Sequence, residues 1–244
     1  MQEKRRDIHN SETPALCRAC EARHSGLCGA LEHDELLRLS RHTTIRQAPA
    51  GTQLIGEEDF VETYANVLKG VVKLTKMMAD GRQQIVGLQF APDFVGRPFQ
   101  AESRVSAEAA SDVVLCVFPK NSLDAMMKEQ PNMEHRLLKQ SLNELDEARE
   151  WMLTLGRKTA EEKVASFLYM IARHIDPTHD VDAQNAAAFD LPLTRADIAD
   201  FLGLTIETVS RQLTKLRKAD AIVIEANRRV SIPDVMRLRE LSGN

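Results

Sequence analysis

Four cysteines are the residues of this chain whose spacing predicts a metal site. Cys17 and Cys20 are separated by two residues, Cys28 follows after seven more, and Cys116 lies far downstream. A Cys-x2-Cys pair holds two thiolates close enough to share one metal centre, and a nearby third with a distant fourth can complete a four-thiolate shell. The first three lie in CRACEARHSGLC, a polar stretch that has little reason to be ordered without a ligand. Metal binding is therefore the natural inference.

The spacing says less about which metal is bound. Zinc and iron–sulfur clusters both accept four thiolates. Zinc sites usually consist of two close pairs, whereas three neighbouring cysteines and a remote fourth favour a cluster that connects two segments. Taken alone, Cys116 inside VVLCVF is typical of an inert buried strand cysteine. Four cysteines in a cytosolic chain of 244 residues are too few for a disulfide framework, so thiol redox chemistry stays open beside metal binding.

A second candidate site lies between residues 194 and 218. Thr194 and Asp197 predict a helix that starts near Arg195. Gly203 permits a tight turn, and Thr205 can cap a second helix. The apolar residues of the second helix that we expect to face inward are Ile206, Val209, Leu213 and Leu216. The residues left on its outward face are Glu207, Thr208, Ser210 and Arg211.

These outward residue types suit contacts to DNA. Arginine pairs with two acceptors of guanine, glutamate accepts from the cytosine amino group, and serine or threonine can meet several base edges. The predicted DNA-binding residues are Thr205, Glu207, Thr208, Ser210, Arg211 and Lys215. Lys215 is expected to meet phosphates, together with Arg217 and Lys218. The alternative is an ordinary helical hairpin with a charged, solvated face.

Two further observations favour DNA binding. Residues 222–232, IVIEANRRVSI, contain two β-branched runs around an Asn-containing turn, which predicts a β-hairpin beside the two helices and hence a winged helix-turn-helix. Between residues 205 and 239, eight basic residues stand against four acidic ones, although the whole chain has a net charge of −4. This local excess of positive charge is typical of a phosphate-binding surface.

The rest of the chain predicts the elements that position these residues. Short apolar or alternating runs at 52–55, 71–74, 86–90 and 113–118 predict strands, and Asp80-Gly81 between two alternating segments predicts a tight hairpin. We interpret this region as a small antiparallel β-roll. A long helix is predicted from about Asn132 to residue 155, and another over residues 160–175. Residues 176–190 have the composition of a linker.

A near-heptad apolar stripe runs along the long predicted helix. Its residues are Leu138, Leu142, Leu145, Met152 and Leu155. The stripe either packs on the chain's own β-roll or pairs with the same helix of a second copy. Its length favours a partner helix, and so do the two half-sites that helix-turn-helix proteins usually read as symmetric dimers. We therefore expect a homodimer.

These features together resemble the CRP/FNR family of bacterial transcription regulators, specifically the FNR-type oxygen sensors that carry a 4Fe-4S cluster. The order of the segments is the same, and the family's Glu-x-x-Ser-Arg recognition signature appears here as Glu207, Ser210 and Arg211. We therefore expect an α+β fold with an N-terminal cysteine segment (1–36), an antiparallel β-roll like that of cyclic-nucleotide-binding domains (37–120), a dimerisation helix (121–156) and a C-terminal winged helix-turn-helix domain (157–244).

The resemblance also implies a function. One 4Fe-4S cluster per subunit, assembled without oxygen, would promote dimerisation and binding to an inverted repeat of TTGAT-type half-sites, and oxygen would destroy the cluster and switch binding off. The cluster ligands would be Cys17, Cys20, Cys28 and Cys116. The loop at Asp80 and Gly81 matches one that in the family can touch RNA polymerase, although a plain surface turn explains it equally well. A regulator of the same fold that uses its cysteines for zinc or for thiol-redox sensing is the alternative.

Other classes of protein are disfavoured. Relatives that bind cyclic AMP carry a glutamate for the ribose and an Arg-Ser/Thr-Ala step for the phosphate, whereas this chain has Arg97 at the expected acid and no such step, so we expect no cyclic nucleotide. It has no His-Glu-x-x-His motif and no phosphate-cradling glycine loop, so we expect no enzyme. The first ten residues lack an apolar segment and the longest apolar run is residues 113–118, so we expect a cytoplasmic protein without a membrane partner.

Overall fold

The computed structural model describes residues 17–18, 20–24, 26–176, 181, 185–226 and 228–243. Residues 1–16 of the predicted N-terminal segment and Asn227 of the predicted wing turn lie outside the described residues. The chain divides into two compact units: one consists of Met1–Val72 with Gln89–Asn143, and the other of Lys73–Leu88 with Glu144–Asn244. The domain boundaries expected at residues 36, 120 and 156 stay predictions.

The helices and strands have the following bounds. The helices are α1 (Glu21–His24), α2 (His33–Ser40), α3 (Lys120–Glu129), α4 (Pro131–Arg157), α5 (Ala160–His174), α6 (Arg195–Leu202), α7 (Ile206–Lys218) and α8 (Val235–Leu241), with a 3₁₀ helix at Leu27–Ala30. The strands are β1 (Thr44–Ala48), β2 (Gln53–Ile55), β3 (Thr63–Lys69), β4 (Val72–Met77), β5 (Gln83–Gln89), β6 (Phe94–Val95), β7 (Ser106–Ala109), β8 (Val113–Pro119), β9 (Ala187–Asp190), β10 (Val223–Glu225) and β11 (Arg229–Ile232). Within the described part of the chain, we find no helix whose length and apolar character would let it cross a membrane.

The first unit contains a four-stranded antiparallel sheet in the order β1-β8-β3-β6. Strand β8 pairs with both β1 and β3, so Cys116 lies opposite Ile45 on one side and Asn66 on the other. Strand β2 pairs antiparallel with β7 in the same unit. Tyr64 and Phe118 from the sheet pack into one apolar cluster with side chains of the 3₁₀ helix, α2 and α3. The predicted antiparallel β-roll is confirmed.

Four of the eight strands between residues 44 and 119 coincide with the predicted runs, and β1, β3, β6 and β7 were missed. The omission of β3 matters most, because it lies inside the sheet between β8 and β6. Four successive residues of β3, from Tyr64 to Val67, are buried, so both of its faces are covered and the alternation that signals a strand is lost. Asn66 also interrupts the apolar run, and it is 1% exposed.

The second unit contains the β4–β5 hairpin, helices α5 to α8 and a three-stranded sheet in the order β10-β11-β9. The predicted helix after residue 160 and the predicted β10–β11 hairpin are confirmed. The prediction of a linker over 176–190 was wrong at its end, because residues 187–190 form β9. There Phe189 is buried and pairs with Val230 of β11. A run of small residues before one aromatic gives only a weak strand signal. The partner strand β11 lies about forty residues further along the sequence, so no local pattern indicates the pairing.

Candidate metal centre and nucleic-acid interface

Three separate segments of the first unit supply the four cysteines. Cys17 and Cys20 precede α1, Cys28 lies in the 3₁₀ helix, and Cys116 lies on β8. The backbone around the first pair forms a turn, in which the amide of Cys20 donates to the carbonyl of Cys17 at 3.4 Å. Cys28 and Cys116 are buried, each 9% exposed, whereas Cys17 and Cys20 are half-buried. All four are free thiols.

The four thiols lie close enough to influence one another's ionisation. Burial, together with the neighbouring Cys20 and Cys17, raises the pKa of Cys116 to about 12. Burial also raises the pKa of Cys28 well above its usual range, with further contributions from Cys116, Cys20 and Cys17. The pKa values of Cys17 and Cys20 are raised as well, chiefly by burial. The fold thus brings the remote fourth cysteine to the N-terminal three.

Asn66 of β3 lies among these cysteines, although its place in the sequence does not indicate a role there. Its Nδ2 atom donates to the Sγ atom of Cys28 at 3.4 Å, and its strand register places it opposite Cys116. Its Oδ1 atom is buried without a hydrogen-bond partner among the described residues. A polar amide inside an otherwise apolar strand was the one signal in the sequence, because burying such a group is costly unless it has a partner.

The four cysteine thiols have the chemistry that a metal cofactor needs in its ligands. Thiolates are soft ligands that select zinc and iron–sulfur clusters, and an N–H group donated to a ligand is a typical outer-shell interaction. Among the residues that the structure describes, no three Cys, His, Asp or Glu side chains are arranged as ligands of a single metal ion. What the geometry provides is four thiols from three segments with a buried amide donor beside them.

In the second unit, local signals build the helix-turn-helix as predicted. The Thr194 hydroxyl accepts from the Asp197 amide and the Asp197 side chain accepts from the Thr194 amide, which closes the capping box of α6. Gly203 ends this helix in the left-handed region at φ 60°. The Thr205 hydroxyl then caps α7 by accepting from the Thr208 amide at 3.2 Å. Both helices therefore start and end where the sequence indicates.

The inward face of α7 is confirmed with one exception. Val209, Leu213 and Leu216 are buried, but Ile206 is 48% exposed, so its predicted inward orientation was wrong. Ile206 is the first residue of α7 and lies next to the turn, whereas the buried residues Val209, Leu213 and Leu216 lie in its later turns. The outward residues Glu207, Ser210 and Arg211 are exposed.

A chain of hydrogen bonds orders the outward face. The Arg211 Nη2 atom donates to the Thr208 Oγ1 atom at 3.2 Å, and the Thr205 Oγ1 atom lies 3.2 Å from the same oxygen. Hydrogen bonding from its own backbone amide and from Thr205 lowers the pKa of Glu207, so this carboxylate is ionised at neutral pH. The outward face of α7 thus presents one anionic group, Glu207, and one cationic group, Arg211.

Lys215 lies further along α7 and forms an ion pair with Glu161 of α5. Its side chain is 62% exposed, so it is accessible from solvent while paired. A phosphate at this position would compete with the Glu161 carboxylate for the ammonium group.

The stripe on α4 faces solvent. Leu138, Leu142, Leu145, Met152 and Leu155 are between 37% and 72% exposed. This exposure favours a partner helix over packing on the chain's own β-roll, and the homodimer stays a prediction. Nearby, the single tryptophan of the chain, Trp151, packs against Phe201 of α6 with ring centroids 4.5 Å apart.

The hairpin tip between β4 and β5 is exposed. Gly81 adopts φ 85°, where a side chain would be strained, and Asp80 pairs with Arg82 at 2.8 Å. These contacts explain the tight turn that Asp80-Gly81 predicted. They are local to the tip, so they leave its role in binding a partner as a prediction.

A β-roll and a winged helix-turn-helix whose second helix exposes glutamate, serine and arginine define a DNA-binding transcription regulator. Family models agree: a Crp-like helix-turn-helix domain matches residues 162–241, and a cyclic nucleotide-binding domain matches residues 45–130.

Relatives are similar over nearly the whole chain. A probable transcriptional activator of Rhizobium leguminosarum bv. viciae is 54% identical over 99% of both chains, and the transcriptional activator protein FnrL of Cereibacter sphaeroides is 42% identical over 96% of this chain and 95% of its own. The solved structure of FixK2 from Bradyrhizobium japonicum superposes with a TM-score of 0.72 at 31% identity and covers 82% of this chain and 96% of that one. The chain therefore belongs to the CRP/FNR family, and it is a transcription activator, not an enzyme.

Proposed function

We propose that this activator responds to oxygen through a 4Fe-4S cluster, one per subunit. The ligands are Cys17, Cys20, Cys28 and Cys116. The observation that carries this proposal is the meeting of four free thiols from three segments, which affect one another's pKa around the buried amide of Asn66. Four thiolates are the ligand set of such clusters, and a polar N-terminal trio with a remote fourth ligand favours a cluster over zinc.

Each residue of this site has its own task. The bound cluster would supply iron–thiolate bonds that an oxidant can break. Cys28 belongs to the apolar cluster of the first unit, and Cys116 lies on the strand that leads into α3 and α4. Bonds from Cys17, Cys20 and Cys28 to Cys116 through the shared group would hold the N-terminal segment on β8. The Asn66 amide would donate to the Cys28 thiolate and orient it.

We further propose that the protein binds an inverted repeat of TTGAT-type half-sites as a homodimer. Arg211 reads guanine with its guanidinium held near Thr208, and Glu207 accepts from a cytosine amino group. Thr205 and Ser210 complete the base-reading surface, and Lys215 exchanges Glu161 for a phosphate. These roles rest on the exposure of the outward face of α7 and on its ordered hydrogen bonds.

The homodimer is expected to form through the stripe of α4. Five large apolar residues exposed along one helix face of a protein chain are unfavourable in water, and a second copy of the same face would cover them. We propose that cluster assembly strengthens this dimer and that loss of the cluster in oxygen weakens it. Asp80 and Gly81 are proposed to contact RNA polymerase, and the β-roll is proposed to respond without a cyclic nucleotide, since Arg97 is exposed where the family's acid would lie.

The test begins with an absorbance spectrum and with iron and sulfide analysis of protein purified without oxygen, before and after admitting air. A broad visible band that bleaches in air, with about four irons per chain, would support the proposal. Cys116→Ser should abolish the band and lower the iron content, while the far-ultraviolet circular dichroism stays that of the wild type.

Zinc binding, the alternative function of the cysteines, gives a different result in the same measurements. If the cysteines bind zinc, the anaerobic protein is colourless and contains about one zinc per chain. A colourless protein without iron would overturn the oxygen-responsive cluster and leave the DNA-binding assignment in place.

A further inference from the structure

The β4–β5 hairpin contacts the first helix of the helix-turn-helix, and the function proposed above assigns no role to this contact. The Lys73 Nζ atom donates to Asp197 Oδ1 at 2.6 Å, and the Gln84 Nε2 atom donates to the Phe201 carbonyl oxygen at 3.2 Å. Asp197 and Phe201 are four residues apart and therefore lie on one face of α6. The two strands of the hairpin thus hold successive turns of the same helix.

The ion pair between Lys73 and Asp197 is buried. The two side chains are 9% and 14% exposed. The two carboxylate oxygens of Asp197 have different partners. Oδ1 accepts from Lys73, and Oδ2 accepts from the Thr194 amide at 3.0 Å and from the Thr194 hydroxyl at 2.6 Å. Asp197 is therefore part of both the capping box of α6 and the contact with the hairpin.

A buried ion pair of this kind specifies geometry more than it adds stability. Removing two charges from water is costly, and an apolar pair of similar volume often stabilises a protein as well or better. The pair is satisfied only when the ammonium group and the carboxylate meet at hydrogen-bond distance, so it restricts where α6 can lie relative to β4. The restriction is lost when either partner becomes neutral.

The position of α6 determines that of α7. Ile198 and Leu202 of α6 and Val209 and Leu213 of α7 are all buried, and Gly203 joins the helices in a tight turn. Close-packed side chains transmit a displacement because the interior has no free volume to absorb it. A shift of α6 would therefore move the outward face of α7.

Lys73 lies directly after the boundary between the two compact units. Val72 is the last residue of a stretch of the first unit, and Lys73 is the first residue of the second. Lys73 and Asp197 therefore both belong to the second unit.

We propose that Lys73 is a positioning residue for DNA binding: through Asp197 it fixes α6, and with α6 it fixes the base-reading face of α7. The DNA binding itself follows from membership of the family. Only the probe used below, an inverted repeat of TTGAT half-sites, rests on the proposed function.

The experiment compares Lys73→Met with the matched control Lys76→Met, which replaces an exposed lysine of the same strand. Affinity for the repeat and for a scrambled duplex is measured by fluorescence anisotropy with full-length protein prepared without oxygen. We expect Lys73→Met to weaken binding to the repeat about tenfold and binding to the scrambled duplex less than twofold, because nonspecific binding depends on phosphate charge rather than on the alignment of α7. Lys76→Met should change both affinities equally.

Three further variants keep the test decisive. Asp197→Asn should reproduce the loss, and the double variant should be no weaker than either single variant, since both remove the same contact. Lys73→Arg should recover much of the affinity, because it retains a donor and a charge. Loss of thermal stability in Lys73→Met with a repeat affinity within twofold of the control would overturn the proposal and leave the pair with a structural role only.

Amide hydrogen exchange tests the positioning role of Lys73 independently of the proposed half-site. If the wild type does not prefer the repeat over the scrambled duplex, the half-site assignment fails, and amide exchange in α6 and α7 of the free protein then decides the role of Lys73. Faster exchange in both helices of Lys73→Met than in Lys76→Met supports the positioning role. Equal exchange in the two variants overturns it.

Discussion

Replacing one leucine of the α4 stripe should weaken the homodimer by a predictable amount. Leu142 is 52% exposed in the protomer. Burying a whole leucine side chain contributes about 1.5–3 kcal/mol, so covering its exposed half contributes about 0.8–1.5 kcal/mol. A symmetric dimer buries this side chain twice, and Leu142→Ala therefore costs about 1.5–3 kcal/mol of association free energy. Each 1.4 kcal/mol is about tenfold, so the dimer dissociation constant should rise about 10- to 100-fold.

Sedimentation velocity over a concentration series measures this constant directly. The matched control is Asn143→Ala, which removes an exposed side chain of the same helix. Residue 143 lies well away from the stripe, since successive residues are about 100° apart around a helix. Both proteins are prepared without oxygen, and their thermal unfolding is compared first. The protomer should keep its stability, because Leu142 supports little of its core.

The outcome that contradicts this reasoning is clear. If Leu142→Ala dimerises within twofold of Asn143→Ala, α4 does not form the interface through this stripe. The exposed apolar residues would then need another partner.

The remaining predictions concern the cysteine site, the base readout and the buried ion pair. Asn66→Leu should still assemble the cluster but shorten the lifetime of its visible band in air about tenfold, because the N–H donor to Cys28 is lost; an unchanged lifetime would exclude the amide from the site. Arg211→Ala should cost about 1–3 kcal/mol of affinity for the repeat and relax selectivity at one guanine, whereas Lys215→Ala should weaken all duplexes equally; equal losses for both variants on cognate and scrambled DNA would contradict this readout. Burial opposes the ionisation of Asp197, but the Lys73 and Thr194 hydrogen bonds outweigh it and lower its pKa below the ordinary value of 3.8. Its contribution to stability is therefore present above pH 3.8 and lost as the pH falls through the folded-state pKa. The difference in melting temperature between wild type and Lys73→Met should shrink as the pH falls below 3.8, and a difference that stays constant as the pH is lowered through this range would refute the assignment.

The helix-turn-helix shows how far the order of residues predicts structure. Thr194, Asp197, Gly203 and Thr205 mark the ends of α6 and α7 because caps and left-handed turns depend on neighbours within three or four residues. The same locality explains the hairpin at Asp80-Gly81. Ile206 is the exception, because its burial depends on whether an apolar surface from elsewhere reaches the first residue of α7, and none among the described residues covers it fully.

The cysteine site also depends partly on local sequence and partly on tertiary structure. The spacing of Cys17, Cys20 and Cys28 predicts a shared ligand, because residues so close in the chain cannot lie far apart. That Cys116 joins them, with the Asn66 amide beside Cys28, depends on the pairing of β3 with β8 and on the packing of the 3₁₀ helix against that sheet. No local pattern encodes that pairing.

Local patterns in this chain thus specify its turns, caps, helix faces and ligand types, since each depends on atoms a few bonds away. The meeting of Lys73 with Asp197, 124 residues further along the chain, depends on tertiary packing alone. The same holds for the addition of β9 to the wing sheet and for the approach of Cys116 to the N-terminal cysteines. Contacts between residues distant in sequence form only when the whole core packs closely. They are therefore determined by the tertiary structure, and no single segment of the sequence encodes them.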